Sequence, residues 1–259
     1  MASKNERAAQ ARAQAQKQVA AKERRTTVII IAVSLAVLAA FAGIVYFIVQ
    51  SSQVPDISEA HAPAPANERG GIPVGASGVA GQDLDADAIQ VDLYLDYMCP
   101  VCKRFEETNA ADLAALRESG DIVVNYHPVS ILDRVSGGTA FSTRAANAAG
   151  VVADQAPEAF VAFNDGMFAN QPQEGTTGLD DDTIKAIAIA SGVPEDVASG
   201  IADGEFTKWV LAATDQASVD GMTGTPTVFV NGEILDQQEV PYFQPGALKL
   251  YLEGLLSGS

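Results

Sequence analysis

Hydrophobic and polar positions divide this chain into stretches of different period. Val28 to Val49 is an unbroken uncharged run rich in Val, Ile, Leu, Ala and Phe. As a helix its 22 residues reach about 33 Å, the thickness of a hydrocarbon core. From residue 51 to about 85 the period disappears, and Ser, Pro, Gly and Ala dominate, as in Ala62-Pro63-Ala64-Pro65-Ala66 and Gly70-Gly71. That composition predicts a flexible linker, with Ile72-Pro73-Val74 near its end suited to a short edge strand. Alternation begins at Ile89, with Val91, Leu93 and Leu95 on one face and Asp92, Tyr94 and Asp96 on the other. A helical pattern follows from Lys103 to Arg117, its Phe105, Leu113 and Leu116 falling near one face. Ile122 to Tyr126 reads as a second strand, so the three elements make a βαβ unit.

Residues 137 to 205 carry helical periodicity and little strand signal. Ser142 or Thr143 is placed to cap an Ala-rich helix through Ala153, and Pro157 opens a helix with Phe160, Phe163 and Met167 on one side. Asp180 starts a third, with Ile184, Ile187 and Ala188 inward and Gly192 as stop, and a short helix runs from Pro194 to Ile201. The acidic run Asp180-Asp181-Asp182 suits a helix first turn better than a cation site. Phe206 to Ala217 is again amphipathic and carries Trp209. Thr227 to Val230, the turn pair Asn231-Gly232 and Glu233 to Leu235 form a hairpin pattern, with Pro226 tolerated at the strand's first residue. Pro245 to Leu256 closes the chain as a helix with Leu248, Leu252 and Leu255 inward.

Charge sharpens the picture of the N-terminus. The chain of 259 residues has a formal net charge of −17, but residues 1–26 hold seven of the 16 Lys/Arg and two of the 33 Asp/Glu. They carry +5, which leaves −22 for the remainder. Arg24 and Arg25 flank the apolar run, and no Lys or Arg follows it until Arg69. The positive-inside rule therefore orients residues 1–26 to the cytoplasm and the body outside. The run is longer than a signal-peptide core and ends in bulky Tyr46-Phe47-Ile48-Val49, so an uncleaved single-pass anchor is expected. The acidic body repels nucleic acid.

Two cysteines are present, Cys99 and Cys102, in the run Tyr97-Met98-Cys99-Pro100-Val101-Cys102 between the first strand and its helix. A thiol at a helix start meets unpaired N–H groups and the positive end of the helix dipole, and both favour the attacking thiolate. Pro100 suits an early helical position, and Cys102 stands one turn further in. The pattern points to a redox-active dithiol with Cys99 as nucleophile and Cys102 as resolving partner. Two plainer readings compete. A structural bridge closing so small a loop removes little chain entropy, and a zinc site needs four ligands where only His61 and His127 could add to the pair. His61 in the linker reads as solvated, and His127 before Pro128 as structural.

Strand, CPVC, helix, strand, helical stretch, then Thr225-Pro226-Thr227-Val228-Phe229-Val230-Asn231-Gly232 and a last helix resembles a DsbA-like thiol-disulfide oxidoreductase of the thioredoxin superfamily, of the membrane-anchored bacterial type. Cys102-Lys103-Arg104-Phe105, His127-Pro128-Val129 and Ser142-Thr143-Arg144-Ala145-Ala146 add smaller agreements, and the resemblance covers roughly residues 86–259. It implies an α/β, thioredoxin-like fold with an inserted all-helical domain, preceded by a single N-terminal transmembrane helix. The expected division is 1–26 basic cytoplasmic segment, 27–50 transmembrane anchor, 51–85 flexible linker, 86–136 and 206–259 thioredoxin-like domain, and 137–205 helical insertion. The resemblance further implies that the Thr225–Pro226 bond is cis, beside the CPVC turn, and offers its backbone to substrate.

The implied function is an extracytoplasmic oxidoreductase, bound to the cell membrane, that introduces disulfides into unfolded exported polypeptides with free thiols. It works as a monomer, with Cys99–Cys102 as its redox centre and neither metal nor separate cofactor. Its implied partner is a quinone-linked membrane oxidase of the DsbB or vitamin K epoxide reductase-like type. The alternatives are a reductase or isomerase fed by a membrane electron donor, or a tethered chaperone with a passive disulfide. Two departures from the family's strongest oxidants predict a milder one: Val101 stands where they have histidine, and Leu93 where many relatives have a buried acid.

Overall fold

The computed structural model of the chain describes residues 29–46 and 54–258, which belong to two separate units. The basic segment 1–26, the ends of the expected anchor and the first residues of the expected linker lie outside the described residues. In the first unit, Ile29–Tyr46 is one helix, α1, with a mean hydropathy of 2.6, long and apolar enough to cross a membrane.

The second unit is built on a sheet of five strands: β1 (Ile72–Val74), β2 (Ile89–Leu95), β3 (Ile122–Pro128), β4 (Thr227–Val230) and β5 (Glu233–Ile234). Their spatial order is β1-β3-β2-β4-β5. β2 and β3 are parallel, joined by helix α2 (Pro100–Glu118), and the other pairings are antiparallel. β2 lies at the centre, so its Val91, Leu93 and Leu95 are buried, and so is Tyr94 on the other face. The β4–β5 turn is made by Asn231 and Gly232, both at positive φ (51° and 83°), the geometry that suits a two-residue hairpin.

Between β3 and β4 run α3 (Phe141–Gln155), α4 (Phe160–Ala169), α5 (Asp181–Ala190), α6 (Glu195–Gly200) and α7 (Thr207–Val219). α3 is buried almost all round, which its many alanines permit. A Cβ added at Gly150 would lie 3.2 Å from Phe206, Pro63 and Trp209 alike, so that position needs the smallest residue. α5 begins as its pattern predicts, with the Asp180 carboxylate accepting the Thr183 N–H at 2.8 Å. The chain ends in α8 (Ala247–Ser257), packed on α2.

Four expectations change. Residues 54–85 are not a free linker: Ile57, Ala60, Ala62 and Ala66 pack against the core, and the Ala64 N–H donates to Asp154 at 2.7 Å. The end of that stretch, β1, does pair as an edge strand with β3. The cap of α3 is neither Ser142 nor Thr143 but left-handed Ala140 (φ 50°), and Asp133 accepts the Thr143 N–H at 3.0 Å. Leu255 is 37% exposed rather than inward, while Leu248 and Leu252 are buried. His61 stacks on Phe206 (centroids 5.3 Å apart) with Nε2 3.4 Å from Glu205, so it is exposed but not unpartnered.

Candidate active site

β2 delivers the chain to a turn, Asp96 to Met98, that ends in Cys99. The Cys99 N–H donates to the Asp96 carbonyl at 2.9 Å, and Cys99 itself is the extended N-cap residue of α2, with Pro100 in the first helical turn. Its carbonyl accepts from the N–H groups of Cys102 (3.0 Å) and Lys103 (3.2 Å), the first bonds of the helix. A third donor comes from outside, the Gln171 side-chain amide at 3.0 Å. The nucleophile candidate is thus held by its backbone on both sides.

Both cysteines are buried free thiols, and they differ in acidity. Hydrogen bonding from the Cys102 thiol lowers Cys99 to about 6, against the opposing effect of burial, with help from the Thr225 side chain and the N–H groups of Cys102 and Val101. Burial pushes Cys102 well above the ordinary thiol value, and its bond to Cys99 pushes the same way. The protonated partner thus stabilises the ionised one, and the arrangement favours a single thiolate, at Cys99.

Thr225 and Pro226 stand where the resemblance puts them. Their peptide bond is cis. The Cys99 thiol donates to the Thr225 carbonyl at 3.4 Å across 126 residues of sequence. The loop forms one wall of a depression of about 470 Å³ that also includes Val101, Ile234 and Tyr242. Val101 is 38% exposed at its rim, so the residue between the cysteines meets solvent rather than the core.

Three polar groups at this site carry no recognisable pattern in sequence. Asp96 continues the alternation of β2 yet turns inward and is fully buried. Ser142 reads as a helix cap and instead donates to Asp96 at 2.7 Å. Gln171 lies in an irregular stretch after α4. His127 is buried, with Nε2 2.9 Å from Asp92 and its ring stacked on Tyr94, which supports a structural role. Among the described residues no group of three or more His, Cys, Asp or Glu is arranged to hold a metal.

Comparison with known proteins agrees with this fold. A thioredoxin family model matches residues 83–244. Among solved structures, the reduced DsbA of Mycobacterium tuberculosis is 30% identical, covering 67% of this chain and 90% of its own, with a TM-score of 0.55. The MdbA thiol-disulfide oxidoreductase of Actinomyces oris (24% identical, 77% and 99% covered, TM-score 0.60) and oxidised BdbD of Bacillus subtilis (21%, 78% and 100%, TM-score 0.59) share the fold. The serine/threonine-protein kinase PknE of Mycobacterium tuberculosis is 27% identical over 158 residues, 58% of this chain. The chain spans only 28% of that kinase's length.

Proposed function

Because the chain belongs to the thioredoxin family, among its DsbA-like thiol-disulfide oxidoreductases, we propose that Cys99 and Cys102 form a disulfide that the protein donates to exported polypeptides. The observation that carries this reading is the opposed acidity of the two buried thiols, Cys99 lowered and Cys102 raised. In the oxidised state a substrate thiolate attacks the Cys99 sulfur, the Cys99–Cys102 bond breaks, and Cys102 leaves and takes up a proton. A second substrate thiolate attacks the substrate sulfur of the mixed disulfide and expels Cys99 as its stabilised thiolate. Two electrons pass from substrate to protein, and the substrate gains one disulfide. The depression beside Thr225 and Pro226 suits an extended segment of the incoming polypeptide, paired to the loop backbone.

The apolar α1 and the basic residues before it support a membrane anchor with the dithiol domain outside, where disulfides persist. Reoxidation then falls to a membrane-embedded, quinone-linked oxidase. The deciding experiment is the equilibrium potential of Cys99–Cys102 in glutathione buffers. A value between about −120 and −180 mV supports donation, and one near about −270 mV would point to a reductase. Resistance to reduction far below about −300 mV would mark a structural bridge and end the proposal.

A further inference from the structure

Between α2 and α4 lies a cavity of about 410 Å³ that the dithiol chemistry does not use. Phe168 and Ala169 give it an apolar wall, and Glu106, Glu107 and Asp165 give it three acids. Lys103 also lines it, but its ammonium donates to the Ala169 carbonyl at 3.3 Å. Among the described residues no Lys, Arg or His pairs with any of the three acids. Glu107 and Asp165 are exposed and meet water. Glu106 is different: it is 7% exposed, and its Oε1 has no hydrogen-bond partner. A buried oxygen left unpaired is costly, and a donor brought by a ligand removes that cost. No group of three His, Cys, Asp or Glu among the described residues is arranged for a metal ion. Acids beside an apolar wall suit an organic cation, an ammonium or guanidinium on an alkyl stem.

Both walls of the cavity run up to the nucleophile. Cys99 is the N-cap residue of α2, and Gln171, just past the end of α4, donates its amide to the Cys99 carbonyl at 3.0 Å. Glu106 comes seven residues after Cys99, about 10 Å along the helix axis. An extended polypeptide covers about 3.3 Å per residue, so a side chain about three positions from a client cysteine reaches that depth.

We infer that this cavity is a client subsite: it takes a lysine or arginine side chain of a polypeptide disulfide-bonded to Cys99, with the stem against Phe168 and the charged head on Glu106. The inference rests on the reading of Cys99 as the nucleophile. Burial, aided by the charge of Asp165, keeps a proton on Glu106 up to about pH 8, and an entering cation expels it. The phenols of Tyr97 and Tyr126, which also face Glu106, are held neutral by burial. Arg117, further along α2, is committed to the Gly75 and Ala76 carbonyls. Selection for a basic residue therefore strengthens as pH rises toward about 8.

The test uses full-length Cys102→Ser protein in nonionic detergent, loaded with glutathione at Cys99 and offered two cysteine peptides in equal amounts. The peptides differ only in carrying arginine or citrulline three residues from the cysteine. Exchange moves Cys99 from glutathione to a peptide thiol, releases reduced glutathione and consumes no oxidant. Mass spectrometry reads the ratio of the two mixed disulfides. The arginine peptide should be favoured about tenfold at about pH 8 and about threefold or less at about pH 6. Glu106→Gln should bring the ratio to about one. Ala169→Trp, which fills the cavity from its exposed edge, should do the same. Glu195→Gln, an exposed acid of α6, should leave the ratio unchanged. A wild-type ratio near one, or a preference that survives either cavity variant, overturns the inference. So does an equal fall in Glu195→Gln, which would mark general attraction to the acidic body. If Glu106→Gln does not fold, Ala169→Trp decides alone. Agmatine that raises the melting temperature of wild type but not of Glu106→Gln, while the peptides stay equal, would give the cavity to a free amine and overturn the client subsite. If neither peptide displaces glutathione from Cys99, the nucleophile reading fails, and this inference with it.

Discussion

Glu106 lies one helical turn beyond Cys102 and faces inward, only 7% exposed, with Oε1 lacking any hydrogen-bond partner. Burial raises its pKa from 4.5 to about 8; the negative charge of Asp165 adds to the rise, and the Asn164 amide offsets part of it. The folded protein therefore keeps a proton on Glu106 that the unfolded chain has already released. Between pH 4.5 and about 8 the folded state binds one proton more, so stability falls as pH rises, by about 1.4 kcal/mol per unit. Over the whole window that is about 5 kcal/mol, comparable to the net stability of many domains. Glu106→Gln mimics the protonated side chain and removes the titration. Urea unfolding of the two proteins should give nearly equal stability at about pH 5. The variant's advantage should then grow toward about 4–5 kcal/mol above about pH 8. A difference that stays constant with pH, whatever its size, would show that Glu106 ionises normally in the fold and that its lack of a partner has no electrostatic consequence.

Other expectations follow from the same geometry. Val101→His introduces a donor beside the thiolate and should raise the reduction potential; an unchanged or lower value in glutathione buffers would refute the account of Val101. Cys102→Ser should accumulate a mixed disulfide with glutathione at Cys99, visible by mass spectrometry, whereas Cys99→Ser should form none and lose all thiol-disulfide exchange activity. Alkylation of reduced Cys99 should rise with pH around a midpoint of about 6, well below an ordinary thiol. Gly75→Ala would drive a Cβ into the Asp83 backbone carbonyl, so a loss of about 2–4 kcal/mol should appear in thermal unfolding.

Much of this architecture is legible in the residues because its signals are local. The alternation of β2, the CPVC turn, the inward faces of α4 and α5, and the Asn231-Gly232 hairpin each depend on neighbours a few positions away. The segment from residue 54 to β1 was not legible, since alanines and prolines packed against the core leave no period and resemble a linker. Asp96 and Glu106 were missed for a related reason. Each is an acid that a sequence reading places toward water, and only the arrival of Leu132 and Ser142, or of α4, encloses it. Cys99 and Cys102 were found by spacing, but their opposed acidity depends on the burial of Cys102 and its bond to Cys99, and the Thr225 carbonyl that meets the Cys99 sulfur comes from far along the chain.

That separation has a consequence for timing. β2 pairs with β3 nearby in sequence, but its other neighbour, β4, arrives only after the whole helical insertion. During synthesis the two cysteines emerge long before the loop that meets the Cys99 sulfur. In that interval they are an ordinary dithiol, without the Thr225 contacts or the wall beside them. The reagent is assembled last: until β4 arrives the chain holds two thiols but not the full set of contacts that sets them apart.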